Sequence, residues 1–307
     1  MRSEPLATGN WQLATNNFLR ARLPSVLLTL FLLPGFAAAQ SRVDCSRLES
    51  KILARPVPYC VMLPPSYDAD KAKRYPVLYY LHGLGDNEQS LINAGGWNQY
   101  EDQLAQKKVG EFLIITPYGF RSFYINSRDG KLQYEDFFLH EFLPAMEKKY
   151  RLKPGRASRG IMGVSMGGFG ALHYAFKYPQ VFGSVSTHMA ALQDNLPKNV
   201  GNTPEGKMMG SIFGAPISEP YYQANNPLQL ARKAPIASLK NTSIYFDCGD
   251  HDGYGFNVGN TQLDDVLHQR AIGHEFHIYP GGHDMQFVLE HFGASLQWHS
   301  KAFGLTR

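Results

Sequence analysis

The sequence predicts a three-layer α/β domain with a mostly parallel central sheet. Short apolar runs rich in branched and aromatic residues alternate with stretches of helical spacing. This alternation continues over about 270 residues without an internal repeat, which favours one domain over residues 40–307. The composition agrees, because 44% hydrophobic, 13% aromatic and 18% charged residues exclude a disordered tail, a low-complexity polymer and a coiled coil.

The first 39 residues have the pattern of a secretory signal peptide. Arg20 and Arg22 precede an apolar run at residues 24–36, and three alanines follow it. The run is short for a bilayer span. We therefore expect a mature chain that begins near Gln40, is secreted or periplasmic, and has no stable membrane association after cleavage. The alternative is an uncleaved membrane anchor.

The charge pattern gives no indication of a nucleic-acid partner. Arg2, Arg20 and Arg22 against Glu4 supply +2 of the formal charge of +4, so the body of the chain is nearly neutral. A nearly neutral body without a run of Lys and Arg lacks the basic surface that nucleic acid requires. We expect no nucleic-acid binding.

The three cysteines are compatible with at most one disulfide bond. Cys45 and Cys60 flank a predicted hairpin whose turn is expected around residues 53–56. In an oxidising compartment we expect these two to pair and Cys248 to remain a buried thiol. Three free thiols are the alternative.

Periodicity predicts the sheet and its helices. Phe138, Phe142 and Met146 mark one helix at helical spacing, although Pro144 conflicts with it. Two further helices contain Phe169, Leu172 and Phe176, and Val288, Phe292 and Leu296. The predicted buried strands cover residues 77–81, 112–115, 161–164, 181–185, 244–246 and 276–279.

Residues 190–240 interrupt the alternation. They are rich in Asn, Pro and Gly and are too long for an ordinary connection. We expect an insertion over one end of the sheet. It either covers a binding site or is a variable surface loop.

The segment G-V-S-M-G-G at residues 163–168 is a candidate nucleophile turn. It follows a predicted strand and opens a predicted helix, as the G-x-S-x-G pattern requires. Side chains at Gly163 and Gly167 are expected to collide across this sharp turn, which would leave Ser165 exposed above a helix N-terminus. The alternative is a glycine-rich turn with an unused serine.

A nucleophilic serine needs a histidine and an acid, and in this fold they follow it along the chain in the order serine, acid, histidine. The segment D-C-G-D-H-D offers Asp247, Asp250 and Asp252; the pattern favours Asp252 over Asp250, because Asp252 has passed the turn at Gly249. The spacing of the acidic residues in this segment departs from that of a calcium loop.

His283 lies in a glycine turn after the last strand, where it can reach the serine. A zinc site at His274 and His277 lacks further ligands at suitable spacing.

Two backbone N–H groups are candidates for an oxyanion hole. The segment H-G-L-G at residues 82–85 closes a strand, and its Leu84 N–H can approach a substrate carbonyl. The Met166 N–H, next to the serine, is the second candidate. An ordinary strand-to-loop turn is the alternative, and His82 is interpreted as a structural residue beneath that loop.

Several aromatic residues follow the early strands near the edge where the serine is expected. Trp97 and Tyr124 are the candidate substrate-binding residues, with Tyr118 and Phe123 nearby. They could hold a phenolic or sugar ring, and ordinary packing is an equal alternative.

Taken together, the motifs resemble the esterase D-type branch of the α/β-hydrolases, which includes secreted feruloyl and acetylxylan esterases, S-formylglutathione hydrolases and mycolyltransferases. The resemblance runs from about residue 48 to residue 303. It is carried by Y-C-V-M-L-P-P-S-Y-D (59–68), P-V-L-Y-Y-L-H-G (76–83), Y-E-D-F-F (134–138), G-V-S-M-G-G (163–168), Y-F-D-C-G-D-H-D (245–252) and G-G-H-D (281–284).

The resemblance implies an α/β-hydrolase fold with Ser165, Asp252 and His283 as the triad and Leu84 and Met166 as oxyanion donors. Met285 departs from the family, where a large aromatic residue often follows the His-Asp pair. The expected activity is that of a serine carboxylesterase without metal or cofactor, acting on small-molecule or polysaccharide-linked esters such as feruloyl or acetyl esters. The alternatives are mycolyl-type transfer and a non-catalytic binding module.

Overall fold

The computed structural model describes residues 41–196 and 203–306. The predicted signal peptide lies outside these described residues. The central sheet has eight strands in the order β1-β2-β4-β3-β5-β6-β7-β8. The strands are β1 Arg42–Ser50, β2 Arg55–Leu63, β3 Val77–Leu81, β4 Leu113–Pro117, β5 Arg159–Val164, β6 Ser184–His188, β7 Ser243–Gly249 and β8 Glu275–Tyr279.

The sheet is mostly parallel, as predicted. Pairing is parallel from β4 through β3, β5, β6 and β7 to β8. Only the pairs β1–β2 and β2–β4 are antiparallel. The carboxyl ends of β3, β5, β7 and β8 therefore lie at one edge, and the loops that follow these strands carry the predicted site.

Helices cover both faces of the sheet. The helices are α1 Ser66–Ala69, α2 Ser90–Asn93, α3 Gly96–Ala105, α4 Tyr134–Phe137, α5 Leu143–Lys149, α6 Met166–Lys177, α7 Pro204–Phe213, α8 Glu219–Asn225, α9 Pro227–Lys233, α10 Ile236–Leu239, α11 Phe256–Gln269 and α12 Met285–Ala302. Within the described residues, none of them combines the length and apolar character needed to cross a membrane.

Strand alternation divides the core into two layers. Val77 and Tyr79 of β3 pack with α4, α5, α6, α9 and α11 on one face. Leu78 and Tyr80 of the same strand pack with α2, α3 and α12 on the other face. Because successive side chains of a strand point to opposite faces, one continuous apolar run serves both layers.

Several boundaries differ from the sequence prediction, and two of them have a clear local cause. β6 begins at Ser184 rather than at Val181, because the chain turns at residues 178–182 before it enters the sheet. Arg156 holds that turn by donating to the carbonyls of Pro179 and Phe182. The hairpin turn occupies residues 51–54, earlier than predicted, since β2 already begins at Arg55.

The conflict at Pro144 is resolved by a local change of helix type. A π-helical turn at Phe138–Phe142 joins α4 to α5, and Pro144 falls in the first turn of α5. A proline in the first turn of a helix loses no intrahelical hydrogen bond. The helix therefore continues through the proline.

Within the described part of the insertion at residues 190–240, residues 204–239 form α7 to α10 and their connections, whereas residues 190–196 are not helical. Prolines occupy the first turns of α7, α8 and α9, and the side chains of Thr203 and Asn226 cap α7 and α9. Residues with loop-like composition thus start helices. His173 of α6 bonds to the Asn225 carbonyl at 2.9 Å, which ties the insertion to the core.

Cys45 and Cys60 face each other in the β1–β2 hairpin and form a disulfide bond, and Cys248 is a buried free thiol. Both outcomes were predicted. The disulfide joins residues 15 positions apart, and loop closure of that length stabilises a fold by about 3 kcal/mol.

Replacing both cysteines, Cys45→Ala with Cys60→Ala, should therefore lower the free energy of unfolding by about 3 kcal/mol, as measured by urea denaturation. Wild-type protein treated with a reductant is the matched control and should show a comparable loss. An unchanged unfolding midpoint in both samples would contradict a stabilising role for the bond.

Candidate active site

Ser165 lies at the sharp turn between β5 and α6. Its backbone has φ 54° and ψ −115°, a conformation that costs energy for any residue with a Cβ. A Cβ on Gly163 would come within 2.0 Å of the Gly167 carbonyl oxygen, across the turn as expected. A Cβ on Gly167 would instead come within 1.9 Å of the carbonyl oxygen of Leu81, on neighbouring β3. Both glycines are therefore required for the turn to pack.

The structure brings Ser165, His283 and Asp252 together. The Oγ of Ser165 lies 2.9 Å from Nε2 of His283, and Nδ1 of His283 lies 2.7 Å from Oδ2 of Asp252. The His283 side chain retains 13% exposure, while that of Asp252 is fully buried. With the Nδ1 proton donated to Asp252, Nε2 is free to accept the serine proton.

Asp252 is held as a carboxylate by its surroundings. Burial raises its pKa, but hydrogen bonds from His283 and from the backbone N–H groups of Tyr254 and Phe256 outweigh burial and lower the pKa below its ordinary value. The Tyr254 N–H donates to Oδ1 at 2.8 Å. Asp252 is consequently ionised at neutral pH.

The other two aspartates of the D-C-G-D-H-D segment serve different partners. The Asp250 carboxylate accepts from the Gly281 N–H at 3.0 Å and pairs with exposed His251. Asp247 points into the sheet, where it pairs with buried His188 at 2.8 Å and accepts from the Tyr245 hydroxyl. Neither reaches His283, so the geometry favours Asp252.

Two backbone N–H groups face the same space as Ser165. Met166 begins α6, and the first N–H groups of a helix have no intrahelical acceptor. In the described part of the chain, neither the Met166 N–H nor the Leu84 N–H donates to another protein group. Gly83, Leu84, Ser165 and Met166 all line one cavity. This arrangement can bind a developing oxyanion.

His82 supports the loop that carries Leu84. Its Nδ1 donates to the Gly83 carbonyl at 2.8 Å, and its Nε2 accepts from the Gly119 N–H at 2.8 Å. Burial lowers the pKa of His82, so the neutral ring that these two bonds require is favoured. His82 therefore has the structural role predicted for it.

The serine opens into a cavity of about 410 Å³. An adjoining cavity of about 290 Å³ shares with it the lining residues Leu84, Phe123, Ala191, Glu205, Tyr254 and Phe256. The second cavity is largely apolar, and Phe169, Met208, Met209 and Tyr222 complete much of its wall. Part of the insertion therefore covers the site, as one of the two sequence hypotheses proposed.

The aromatic residues predicted to bind substrate do not line these cavities. Tyr124 is fully buried and donates its hydroxyl to the His82 carbonyl at 3.0 Å. Trp97 packs in α3 against Tyr100 with a ring separation of 5.8 Å. Both assignments are corrected, because these side chains are used in packing. Phe123, which was noted beside them, lines both cavities.

The wall beside His283 comes from residues that sequence reasoning missed. The rings of Tyr254 and Phe256 contact the imidazole edge-on, at 4.8 and 5.4 Å between centroids. Met285 lines the same cavity. The aromatic contact that the family obtains after its His-Asp pair is thus supplied here from the loop after Asp252. The sequence D-G-Y-G-F at residues 252–256, with two aromatic residues directly after the candidate acid, could have indicated this wall.

Comparisons with known proteins agree with this geometry. A family model described as a putative esterase matches residues 50–299 of the chain. The chain is 30% identical over 245 residues to an esterase of Mycobacterium tuberculosis, and the match covers 73% of this chain and 51% of that protein. It is 32% identical over 130 residues to an endo-1,4-beta-xylanase/feruloyl esterase of Xylanibacter ruminicola, covering 40% of this chain and 18% of that protein.

The chain thus spans about half the length, or less, of these two curated relatives. Among solved structures, a ferulic acid esterase superposes with a TM-score of 0.77 at 28% identity. That match covers 86% of this chain and 99% of the other. The fold is accordingly that of the α/β-hydrolase esterases.

Proposed function

The chain belongs to the family of putative esterases, and on that premise we propose that it is a serine carboxylesterase acting through an acyl-serine intermediate. One observation carries the proposal. Ser165, His283 and Asp252 form a continuous hydrogen-bonded chain. Ser165 and His283 line the same cavity as Leu84 and Met166, whose backbone N–H groups are the candidate oxyanion donors. A binding module on this fold would have no need for such an alignment.

Acylation begins when Ser165 Oγ attacks the ester carbonyl carbon and its proton moves to Nε2 of His283. The imidazolium is stabilised by the Asp252 carboxylate at Nδ1. The carbonyl oxygen becomes an oxyanion, which the N–H groups of Leu84 and Met166 bind. Removing one such donor typically lowers the rate about a hundred- to a thousandfold.

Collapse of the tetrahedral intermediate expels the alcohol, which takes the proton from His283 Nε2. Water then attacks the acyl-serine, and His283 accepts its proton as before. A second collapse returns that proton to Ser165 Oγ and releases the carboxylic acid. Every proton transfer runs between Nε2 and an oxygen in the cavity, so His283 alone can serve as both general base and general acid.

We propose feruloyl esters of plant polysaccharide as the preferred substrates within this class, ahead of acetyl esters. The support is the second cavity, whose aromatic and methionine walls suit a planar aromatic acyl group. An acetyl group would leave that cavity unfilled. The relative that combines endoxylanase with feruloyl esterase adds support.

We also propose that the chain acts outside the cytoplasm. The Cys45–Cys60 disulfide supports this, because such bonds persist in oxidising compartments. The signal-peptide pattern of the first 39 residues supports it independently. Detection of the processed chain in the periplasm or medium of expressing cells would test it.

The experiment that tests the function is an ester panel on the purified protein. It compares methyl ferulate, acetylated xylan, p-nitrophenyl acetate and a long-chain p-nitrophenyl ester by kcat/KM. We expect hydrolysis of p-nitrophenyl acetate and the highest kcat/KM for methyl ferulate. A preference for the long-chain ester, with transfer to an added sugar, would favour mycolyl-type transfer instead. No turnover of any ester would contradict the proposal.

A variant of the second cavity tests the acyl preference. Met208→Trp should fill the cavity and lower kcat/KM for methyl ferulate by about tenfold or more, while p-nitrophenyl acetate is affected little. Met208→Leu conserves the volume and is the matched control. Equal losses on both esters in Met208→Trp would mean that the cavity does not hold the acyl group.

A further inference from the structure

A second group of histidine and carboxylate side chains lies away from the catalytic cavity. Asp264 and His268 occupy positions i and i+4 of α11, and His274 lies just before β8. Oδ1 of Asp264 is 2.8 Å from Nε2 of His274 and 3.1 Å from Nδ1 of His268. The two imidazole rings are 4.7 Å apart. Three side chains that can each offer a metal ligand therefore converge on one point.

His274 is fixed in a way that leaves Nε2 directed at this point. Its side chain is only 3% exposed, its Nδ1 donates to the Ile272 carbonyl at 2.8 Å, and its ring stacks on Phe246. With Nδ1 donating to that carbonyl, Nε2 faces the Asp264 carboxylate, where it either donates an N–H or, in the neutral ring, shares a cation with the carboxylate. Metal-binding histidines commonly have this orientation, in which the other ring N–H donates to a backbone carbonyl.

We propose that Asp264, His268 and His274 bind a divalent transition-metal ion, of the class of Zn²⁺, Ni²⁺ or Cu²⁺. Ligands bonded at about 2.0–2.2 Å in a tetrahedron around one such ion stand about 3.3–3.6 Å apart. The observed separations of 2.8 and 3.1 Å need only small side-chain shifts to reach this range. Two imidazoles and one carboxylate suit these metals better than Ca²⁺ or Mg²⁺.

The surroundings are compatible with entry and retention of an ion. The His268 side chain is 72% exposed, so an ion can reach the group from solvent and keep water in its remaining positions. Nearby Arg270 directs its guanidinium at the carbonyls of Ala231 and Ala234. An ion here would join α11 to the start of β8, which adds a link between elements that flank the sheet edge.

This proposed ligand set cannot be recognised from the spacing of its residues in the sequence. A zinc site from His274 and His277 was set aside for lack of ligands, and the structure pairs His277 with Glu275 instead. The partners of His274 come from a helix turn ten and six residues upstream, at Asp264 and His268. Chain folding between α11 and β8, rather than a local motif, brings them together.

The test is isothermal titration calorimetry of Zn²⁺ and Ni²⁺ chlorides into tag-free protein that has been treated with EDTA and desalted. We expect one ion per chain, and a rise in the thermal midpoint with added metal because only the folded state presents the site. His268→Ala and Asp264→Asn should each weaken binding by about tenfold or more. His277→Ala removes a neighbouring histidine outside the group and should leave affinity unchanged.

Cu²⁺ provides a second readout, since electron paramagnetic resonance detects the coordinated nitrogens. Two nitrogen ligands are expected in the wild type and one in His268→Ala, which remains informative even if calorimetric heats are small. Absence of one-to-one binding, or an equal loss of affinity in His277→Ala, would overturn the proposal. The group would then be an ion pair between Asp264 and protonated histidine.

Discussion

Replacing Ser165 by alanine should abolish ester hydrolysis, with a fall in kcat of about a millionfold. In the proposed mechanism the hydroxyl attacks the acyl carbon, and among the residues that the structure describes His283 Nε2 bonds only to Ser165 Oγ, at 2.9 Å. Binding of the ester and the oxyanion donors remain, so weak residual catalysis over the uncatalysed reaction is expected. Initial rates with p-nitrophenyl acetate measure the effect.

The variant should fold normally. Alanine has a Cβ like serine, so it pays the same cost at φ 54° and adds no new contact. His283 Nε2 faces the open cavity, where water can replace the lost partner. An unchanged thermal midpoint would confirm that activity is lost because the nucleophile is missing and not because the protein unfolds.

A fluorophosphonate probe separates the nucleophile from other serines. Wild-type protein and Ser211→Ala, which alters an exposed serine of α7, should both be labelled once per chain. Ser165→Ala should not be labelled. Labelling of Ser165→Ala, or its retained esterase activity, would assign the reaction to a different serine.

The sequence was sufficient to predict the parts of the site that depend on local backbone geometry. A strand followed by G-V-S-M-G-G and a helix leaves few conformations for the chain, because a Cβ on Gly163 would come within 2.0 Å of the Gly167 carbonyl oxygen across the turn. Buried parallel strands are also visible as continuous apolar runs. The arrangement of layers followed from these local signals.

The features that sequence reasoning missed depend on tertiary packing. Tyr124 and Phe123 are adjacent in the chain, yet Tyr124 is buried beneath His82 while Phe123 lines the two cavities beside Ser165. Both have positive φ, so the direction of each ring is set by an irregular turn that carries no periodic signal. Asp247 and His188 likewise meet only because β6 and β7 are neighbours in the sheet.

Substitution of Asp252 by asparagine should lower kcat by about 10³- to 10⁴-fold while the protein stays folded. The Tyr254 N–H donates to Oδ1 at 2.8 Å, so the asparagine oxygen should occupy that position and its amide nitrogen should face His283. That amide N–H requires an acceptor, and the atom that faces it is Nδ1 of His283. The ring proton would then be on Nε2, so Nε2 could not take the proton of Ser165.

Asp250→Asn is the matched control, because it makes the same chemical change two residues away. Its side chain is partly exposed and accepts from the Gly281 N–H, an acceptor role that an amide oxygen can keep. We expect kcat close to wild type and an unchanged thermal midpoint. Steady-state kinetics on both variants decides between the two acids: if Asp250→Asn loses as much activity as Asp252→Asn, the hydrogen bond between Asp252 and His283 does not orient the catalytic base.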